Sequence, residues 1–224
     1  MEEIHKTYSK AYRLVSMLLL PPSTSRPILE SHKDDVLTYL AKLGSNVENW
    51  HPRITEAVSH ARILAGEVLE CLSSDECWEK FAEDYSSITV TGYKHVKCPP
   101  FESVYVVKGG YKMIEVPAVA DSLERYYKLL GLEPDKEKAF GSDHISIEIE
   151  YLAALHDAEA LALSGELPNV NPADVSELRS AFLEDHLMKW APLFADCVEK
   201  NTRNKIVKDN IRSLEELLFT ERYL

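Results

Sequence analysis

The sequence predicts an all-α fold: a single globular domain of eight or nine helices. Three observations predict it. Apolar residues recur at helical spacing along most of the chain. Proline, asparagine and glycine stand at the ends of those segments, where helices start and stop. At 45% hydrophobic, a chain of 224 residues can bury a substantial core.

The elements follow in order. Residues 2–20 read as an amphipathic helix through Ile4, Tyr8, Tyr12, Val15 and Leu18, stopped by Pro21-Pro22. Residues 26–43 repeat the pattern with Ile28, Val36, Leu37 and Leu40, and Gly44 follows. Residues 52–72 form a third helix, with Pro52 at its first position and Ile54, Val58, Ala61 and Leu64 on one face. A shorter helix spans 75–86, carrying Trp78, Phe81 and Tyr85.

Residues 87–114 change character. Ile88-Thr89-Val90-Thr91 is β-branched, and Gly92, Pro99, Pro100, Gly109 and Gly110 punctuate the rest. Propensity reads a hairpin. The alternative is a long ordered loop joining helical halves at about 1–90 and 115–224, and a loop of that length inside one domain is usually functional. Helix returns over 117–131 (Val119, Leu123, Tyr126, Leu129), ended by Gly131.

Residues 141–165 read as the central core helix. Ser142 can cap it, Asp143 complements the positive end of its dipole, and Gly165 closes it. Ile145, Ile147 and Ile149 alternate with polar residues, a strand pattern, but the Ala/Leu-rich continuation favours helix. Asn171 and Pro172 then start a helix running to about Trp190, with a kink or restart expected at Pro192. Residues 203–219 form the last amphipathic helix.

The charge balance narrows the function. With 25 Lys+Arg against 37 Asp+Glu the net charge is -12, which argues against nucleic-acid binding and suits a cationic peptide or protein partner. Cys71, Cys77, Cys98 and Cys197 form no C-x-x-C pair and no zinc spacing, so they read as packed, reduced thiols in a reducing compartment. No signal peptide is expected, and the apolar run at 15–20 is too short for membrane insertion.

Three motifs stand out. They are Pro99-Pro100-Phe101-Glu102-Ser103-Val104-Tyr105, the Asp143-His144 pair opening an apolar helix, and Phe182-Leu183-Glu184-Asp185-His186-Leu187-Met188-Lys189-Trp190-Ala191-Pro192-Leu193-Phe194. Their kind and order resemble the TorD/DmsD/NarJ family of redox enzyme maturation chaperones. The resemblance covers residues 84–197 well, and residues 1–75 only as a generic helical half. It implies an all-helical, cytoplasmic, non-enzymatic chaperone without a cofactor, and it favours the ordered loop at 87–114. The implied partner is the twin-arginine signal peptide and catalytic subunit of a molybdenum-containing reductase. The family's aromatic after the prolines and its Asp-His pair are implicated in signal-peptide recognition, which carries onto Pro100, Phe101, Asp143 and His144.

Chemistry extends that set. Glu102 offers an anionic partner for arginine, and Asp143 can pair with a peptide arginine or hold the imidazolium of His144. In a stiff Pro-Pro-led loop, Phe101, Glu102 and Tyr105 are presented at low entropic cost. Tyr85 and Ile88 fit the family's aromatic-x-x-Leu-Phe pattern, with Thr89 in place of its last aromatic, so the apolar sub-pocket is expected to be smaller. His186 and Trp190 read as packing residues.

Other readings stay open at this point. The target is either an exported subunit's twin-arginine leader or, as in NarJ-like members, the mature catalytic subunit of a membrane-bound reductase. His156-Asp157 matches the pair of HD-type phosphohydrolases, with His60 or His95 and Asp196 or Asp209 as further ligands, and His144 with Glu148 could share a metal. Oligomeric state is unspecified, monomer or domain-swapped dimer, with 165–172 as a possible hinge. The sequence gives no independent support for guanine-nucleotide binding.

Overall fold

The computed structural model describes residues 1–43, 47, 50–89, 96–106, 116–133 and 141–224, the side chains of residues 116 and 117 excepted. Among these residues the regular elements are helical, and a single isolated bridge joins Phe101 to His144. The all-α expectation is met.

The first helix, α1, spans Glu2–Leu19 and is buried on several faces. Pro21-Pro22 ends it and also begins the next, since Pro22 takes the first position of α2 (Pro22–Ser31). The helix expected over 26–43 is therefore divided. A π turn (Lys33–Leu37) separates α2 from α3 (Thr38–Ala41), and Val36, Leu37 and Leu40 are buried across it. Gly44 lies outside the described residues. Next come α4 (Pro52–Leu72) and α5 (Asp75–Thr89). The β-branched run stays helical to Thr89, whose Oγ1 donates to the Tyr85 carbonyl at 2.8 Å. Val90, Thr91 and the Gly109-Gly110 pair lie outside the described residues, so the hairpin reading falls largely on them.

A short helix, α6 (Glu102–Val106), follows the prolines, and α7 (Val116–Leu129) ends before Gly131, whose φ of 68° lies in the left-handed region that favours glycine. The central helix is α8 (Ile145–Ser164), closed by Gly165 at φ 82°. Its cap is His144 rather than Ser142. His144 Nδ1 accepts from the Ser146 N–H at 3.2 Å, while Ser142 Oγ donates to Glu124 Oε1 at 2.8 Å. The run expected from Pro172 to Trp190 is α9 (Pro172–Phe182), a π turn (Leu183–Leu187) and the start of α10 (Met188–Asn201). The break thus comes a turn before Pro192, which puts the proline near the start of α10. The last helix, α11 (Lys205–Thr220), is capped by Asn204 and ends in a 3-10 turn at Glu221–Tyr223.

α1 lies along α8, and this pair forms the axis of the core. α11 packs on α4, α9 on α8, and α10 on both α6 and α11. One hydrophobic cluster runs from Ile4 in α1 to Leu218 in α11. No helix of the described residues is long and apolar enough to cross a membrane.

The cysteine expectation is corrected. Cys71 bridges to Cys77 across the α4–α5 turn, and Cys98 bridges to Cys197 of α10. Spacing patterns for metals and redox motifs could not reveal pairs that only the fold brings together. The second bridge closes a separation of 99 residues and pins the segment leading into Pro99-Pro100 to α10. Reducing it is expected to lower unfolding stability by about 2–4 kcal/mol. Urea midpoints with and without reductant measure this, and equal midpoints would mean that the bridge contributes nothing.

Candidate functional site

The three segments marked in the sequence meet at the start of α8. The Ile145 N–H donates to the Pro100 carbonyl at 2.9 Å, and the Glu102 N–H to the Asp143 carbonyl at 3.0 Å. Phe101 sets its ring edge-on to His144, with centroids 5.2 Å apart. Asp143 Oδ2 accepts from the Ser103 N–H at 3.3 Å, so Asp143 caps α6 rather than its own helix. This needs close approach: a Cβ on Gly141 would stand 3.0 Å from Asp143 Oδ1. The Pro-Pro-Phe-Glu-Ser run and the Asp-His pair are therefore one interlocked unit.

The third segment closes over it. His186 Nδ1 donates to Glu102 Oε2 at 2.8 Å. On the other side of the ring, Nε2 lies 3.2 Å from the Ser122 hydroxyl. Trp190 packs on Tyr105 and donates its indole N–H to Glu148 Oε2 at 3.2 Å. Glu148 is fully buried, and among the described residues its other oxygen has no partner. Burial lifts its carboxyl well above the ordinary range, and the charges of Glu102 and Asp143 add to the rise. Burial thus favours the neutral form of Glu148. His186, read from the sequence as packing alone, is the direct partner of Glu102.

His144 is not an imidazolium. Burial pushes it down to about 3, and its Nδ1 accepts from both the backbone and the hydroxyl of Ser146. Pro100, Glu102, Asp143 and His144 are buried, with Phe101 and Tyr105 partly exposed. Tyr85 and Ile88 lie in the core. The Tyr85 hydroxyl donates to the Leu19 carbonyl at 2.7 Å, and the Ile88 carbonyl accepts from the Cys98 N–H at 2.9 Å. In this conformation they hold the strap entering Pro99-Pro100 from beneath.

Two openings flank the unit. One, of about 310 Å³, reaches Glu102 and His186 between Val106, Ala118, Val119, Ser122, Asp185 and Lys189. The other, of about 350 Å³, lies between α1, α2 and α8. Met17, Leu20, Ile28, Leu132 and Ile147 give it apolar walls, and Arg13, His32, Glu133 and Glu150 a polar rim in which Arg13 pairs with Glu150 at 3.1 Å. Neither opening was visible in the sequence, since each is made by helices far apart in the chain.

Residues 40–196, more than half of the chain, match the family model described as "Nitrate reductase delta subunit". The chain belongs to this family. It is a family of redox enzyme maturation chaperones, not of enzymes, as the resemblance implied. The chain is also similar to the chaperone protein TorD of Photobacterium profundum, 24% identical over 187 residues, which is 84% of this chain and 79% of that protein. No solved structure matches it with significance.

The nitrate reductase delta subunit family match spans all three motifs, and with it the interlocked unit at α8. The phosphohydrolase reading fails against the same structure. His156 is buried and bonded to His5 at 3.0 Å and to Glu221 at 2.9 Å, while Asp157 pairs with Arg13 at 2.6 Å. Among the described residues no three His, Cys, Asp or Glu side chains are grouped to hold a metal. His144 and Glu148 are each engaged elsewhere. His95 lies outside the described residues.

Proposed function

We propose that this chaperone works in the cytoplasm and binds the twin-arginine signal peptide of a molybdopterin-containing oxidoreductase subunit. Binding holds back export until the cofactor is inserted. The observation that carries this reading is the Glu102–His186 pair, a buried acidic group at the end of an opening large enough for a side chain. A guanidinium entering there meets a carboxylate already oriented by His186, with Asp185 at the mouth. Phe101 supplies an aromatic wall beside it. The apolar residues that follow the arginines settle in the second opening, against Leu20, Ile28 and Ile147. Asp143, His144, Pro100 and Tyr105 shape the unit, and Tyr85 and Ile88 support it.

In the cytoplasm thiols are kept reduced, so the two cysteine pairs would there be juxtaposed dithiols. Titration of a leader peptide onto an Ile147→Asp variant tests the apolar half of the site. Its affinity is expected to fall about tenfold, with the far-UV spectrum unchanged, because a charge replaces an apolar contact. Equal affinity would remove the second opening from the binding surface.

The description of the matching family favours a second reading, in which the client is the mature catalytic subunit of a membrane-bound reductase. The neighbouring subunit gene separates the two, according to whether its product begins with a twin-arginine leader.

A further inference from the structure

The bridge between Cys98 and Cys197 stands at the root of the interlocked unit. Cys98 is buried, and its N–H donates to the Ile88 carbonyl of α5 at 2.9 Å. Cys197 lies on α10 and is partly exposed. Beyond Cys98, only Pro99 comes before Pro100, whose carbonyl takes the Ile145 N–H at 2.9 Å. The Glu102 N–H is then held by the Asp143 carbonyl at 3.0 Å. Proline fixes φ, so Pro99-Pro100 is a stiff strap. Anchoring Cys98 is therefore passed on to Glu102 and to the start of α8.

The surroundings suit the pair in both redox states. Cys197 Sγ stands 3.3 Å from the Lys97 carbonyl, an acceptor that a thiol can use and a disulfide cannot. The Asn201 side-chain amide donates to the Cys197 carbonyl at 2.9 Å, which sets its nitrogen 3.8 Å from Cys98 Sγ and 3.9 Å from Cys197 Sγ. A donor shared by both sulfurs steadies whichever of them carries negative charge. The other bridge differs. Cys71 and Cys77 are 6 residues apart, across a turn that the backbone N–H groups of Ser73 and Ser74 already close. That turn leads into the opposite end of α5.

Where thiols are kept reduced, a juxtaposed pair that can close is more often a redox sensor than a structural bridge. We propose that Cys98 and Cys197 form a reversible oxidation site for hydroperoxides, and that its closure fixes the strap that positions Glu102. Exposure sets the order of events. The Cys197 thiolate attacks the outer oxygen of the hydroperoxide, the O–O bond breaks, and the alkoxide takes a proton and leaves as an alcohol. Cys197 is then a sulfenic acid, and the Cys98 thiol displaces its hydroxyl as water to form the S–S bond. Two thiols and one hydroperoxide thus give one disulfide, one alcohol and one water. A dithiol reductant reverses the change: one of its thiolates attacks Cys197, Cys98 leaves and regains its proton, and the reductant departs as a disulfide. The inference is independent of the leader-peptide reading, because it is read on the chain's own sulfurs and amides.

The test uses the full chain, reduced with dithiothreitol, freed of it, and treated with tert-butyl hydroperoxide. Peptide mapping without reductant is expected to show Cys98 joined to Cys197, and dithiothreitol is expected to undo the link. In Cys98→Ser, dimedone should trap a sulfenic acid on Cys197, whereas in Cys197→Ser the buried Cys98 should stay a thiol. Hydrogen exchange reads the strap. Oxidation should slow exchange of the Glu102 and Ile145 amides by about tenfold or more, because closure removes local openings. That difference should persist in Cys71→Ser/Cys77→Ser and vanish in Cys98→Ser/Cys197→Ser. No Cys98–Cys197 link after hydroperoxide would overturn the oxidation site. Equal exchange in the oxidised and reduced unsubstituted chain, or a difference lost with Cys71 and Cys77 instead, would overturn its hold on the strap.

Discussion

Arg179→Met is expected to cost about 3–5 kcal/mol of folding stability, because removing one partner of a buried ion pair strands the other charge. Arg179 is buried, with Nε donating to Glu159 Oε2 at 3.1 Å and a terminal nitrogen donating to Glu221 Oε2. Glu221 Oε1 accepts from the Tyr12 hydroxyl at 2.6 Å and from His156 at 2.9 Å, and His156 contacts His5 at 3.0 Å. This polar network ties α1, α8, α9 and the C-terminal turn together inside an apolar core. Methionine fills similar space but leaves two buried carboxylates without their cation. Urea unfolding reads the loss, and adding Glu221→Gln to the same chain should recover part of it. A loss below about 1 kcal/mol, the range of exposed pairs, would mean that water reaches the network.

The same groups set the response to acid. His5 is pushed down to about 3 by burial first and then by His156 and Arg179, and His144 is pushed to about 3 by burial. As pH falls below the ordinary value of 6.5, the unfolded chain takes up protons that these two folded imidazoles refuse. Burial pushes Glu221 up, but His156, Arg179 and the Tyr12 hydroxyl outweigh it and hold the carboxyl at about 2. Its contribution is complete above 4.5 and is lost as pH falls from there towards 2. Glu148 acts in the opposite sense: its raised carboxyl favours the folded state at low pH and costs stability as pH rises through its folded value. The two histidines act first, so the urea midpoint should fall below pH 6.5, with the raised carboxyls of Glu148, Glu150 and Glu215 opposing part of the fall.

Glu102→Gln is expected to weaken leader-peptide binding by about 2–5 kcal/mol, roughly thirtyfold or more. The amide keeps the shape and can still accept from His186 Nδ1, but it brings no charge to the arginine. Far-UV dichroism should stay helical. Full affinity in this variant would remove Glu102 from the recognition surface. Asp143 calls for a different variant, because it caps α6 through Ser103 N–H, so truncation disturbs the position of Glu102 as well as its own charge. Asp143→Asn, which keeps the acceptor, isolates the charge.

Much of this architecture was legible in the chain. Apolar spacing, Pro52, Gly131, Gly165 and Asn171 placed α1, α4, α7, α8 and the start of α9, because those signals are local. The π turns at Lys33–Leu37 and Leu183–Leu187 were not legible, since tertiary packing rather than propensity decides them. The cap of α8 was misread because serine is the better cap by propensity, and only the crossing of Pro100 over Ile145 places His144 there. His5, His156, Glu159 and Arg179 stood at positions flanked by core residues, a signal that polar groups were being buried together. Their partner Glu221 lies far along the chain, and no spacing rule connects it. The motif residues were identified, but their mutual contacts became visible only with α6, α8 and α10 in place.

Calorimetric titration with the twin-arginine leader peptide of the adjacent redox subunit tests the central claim most directly. A twin-lysine version of the same peptide is the comparison, since lysine keeps the charge but lacks the planar fork that grips a carboxylate at two points. The account predicts tight binding of the first and markedly weaker binding of the second. Equal binding of both would reduce the site to an acidic surface, and binding of neither would contradict the leader-peptide assignment.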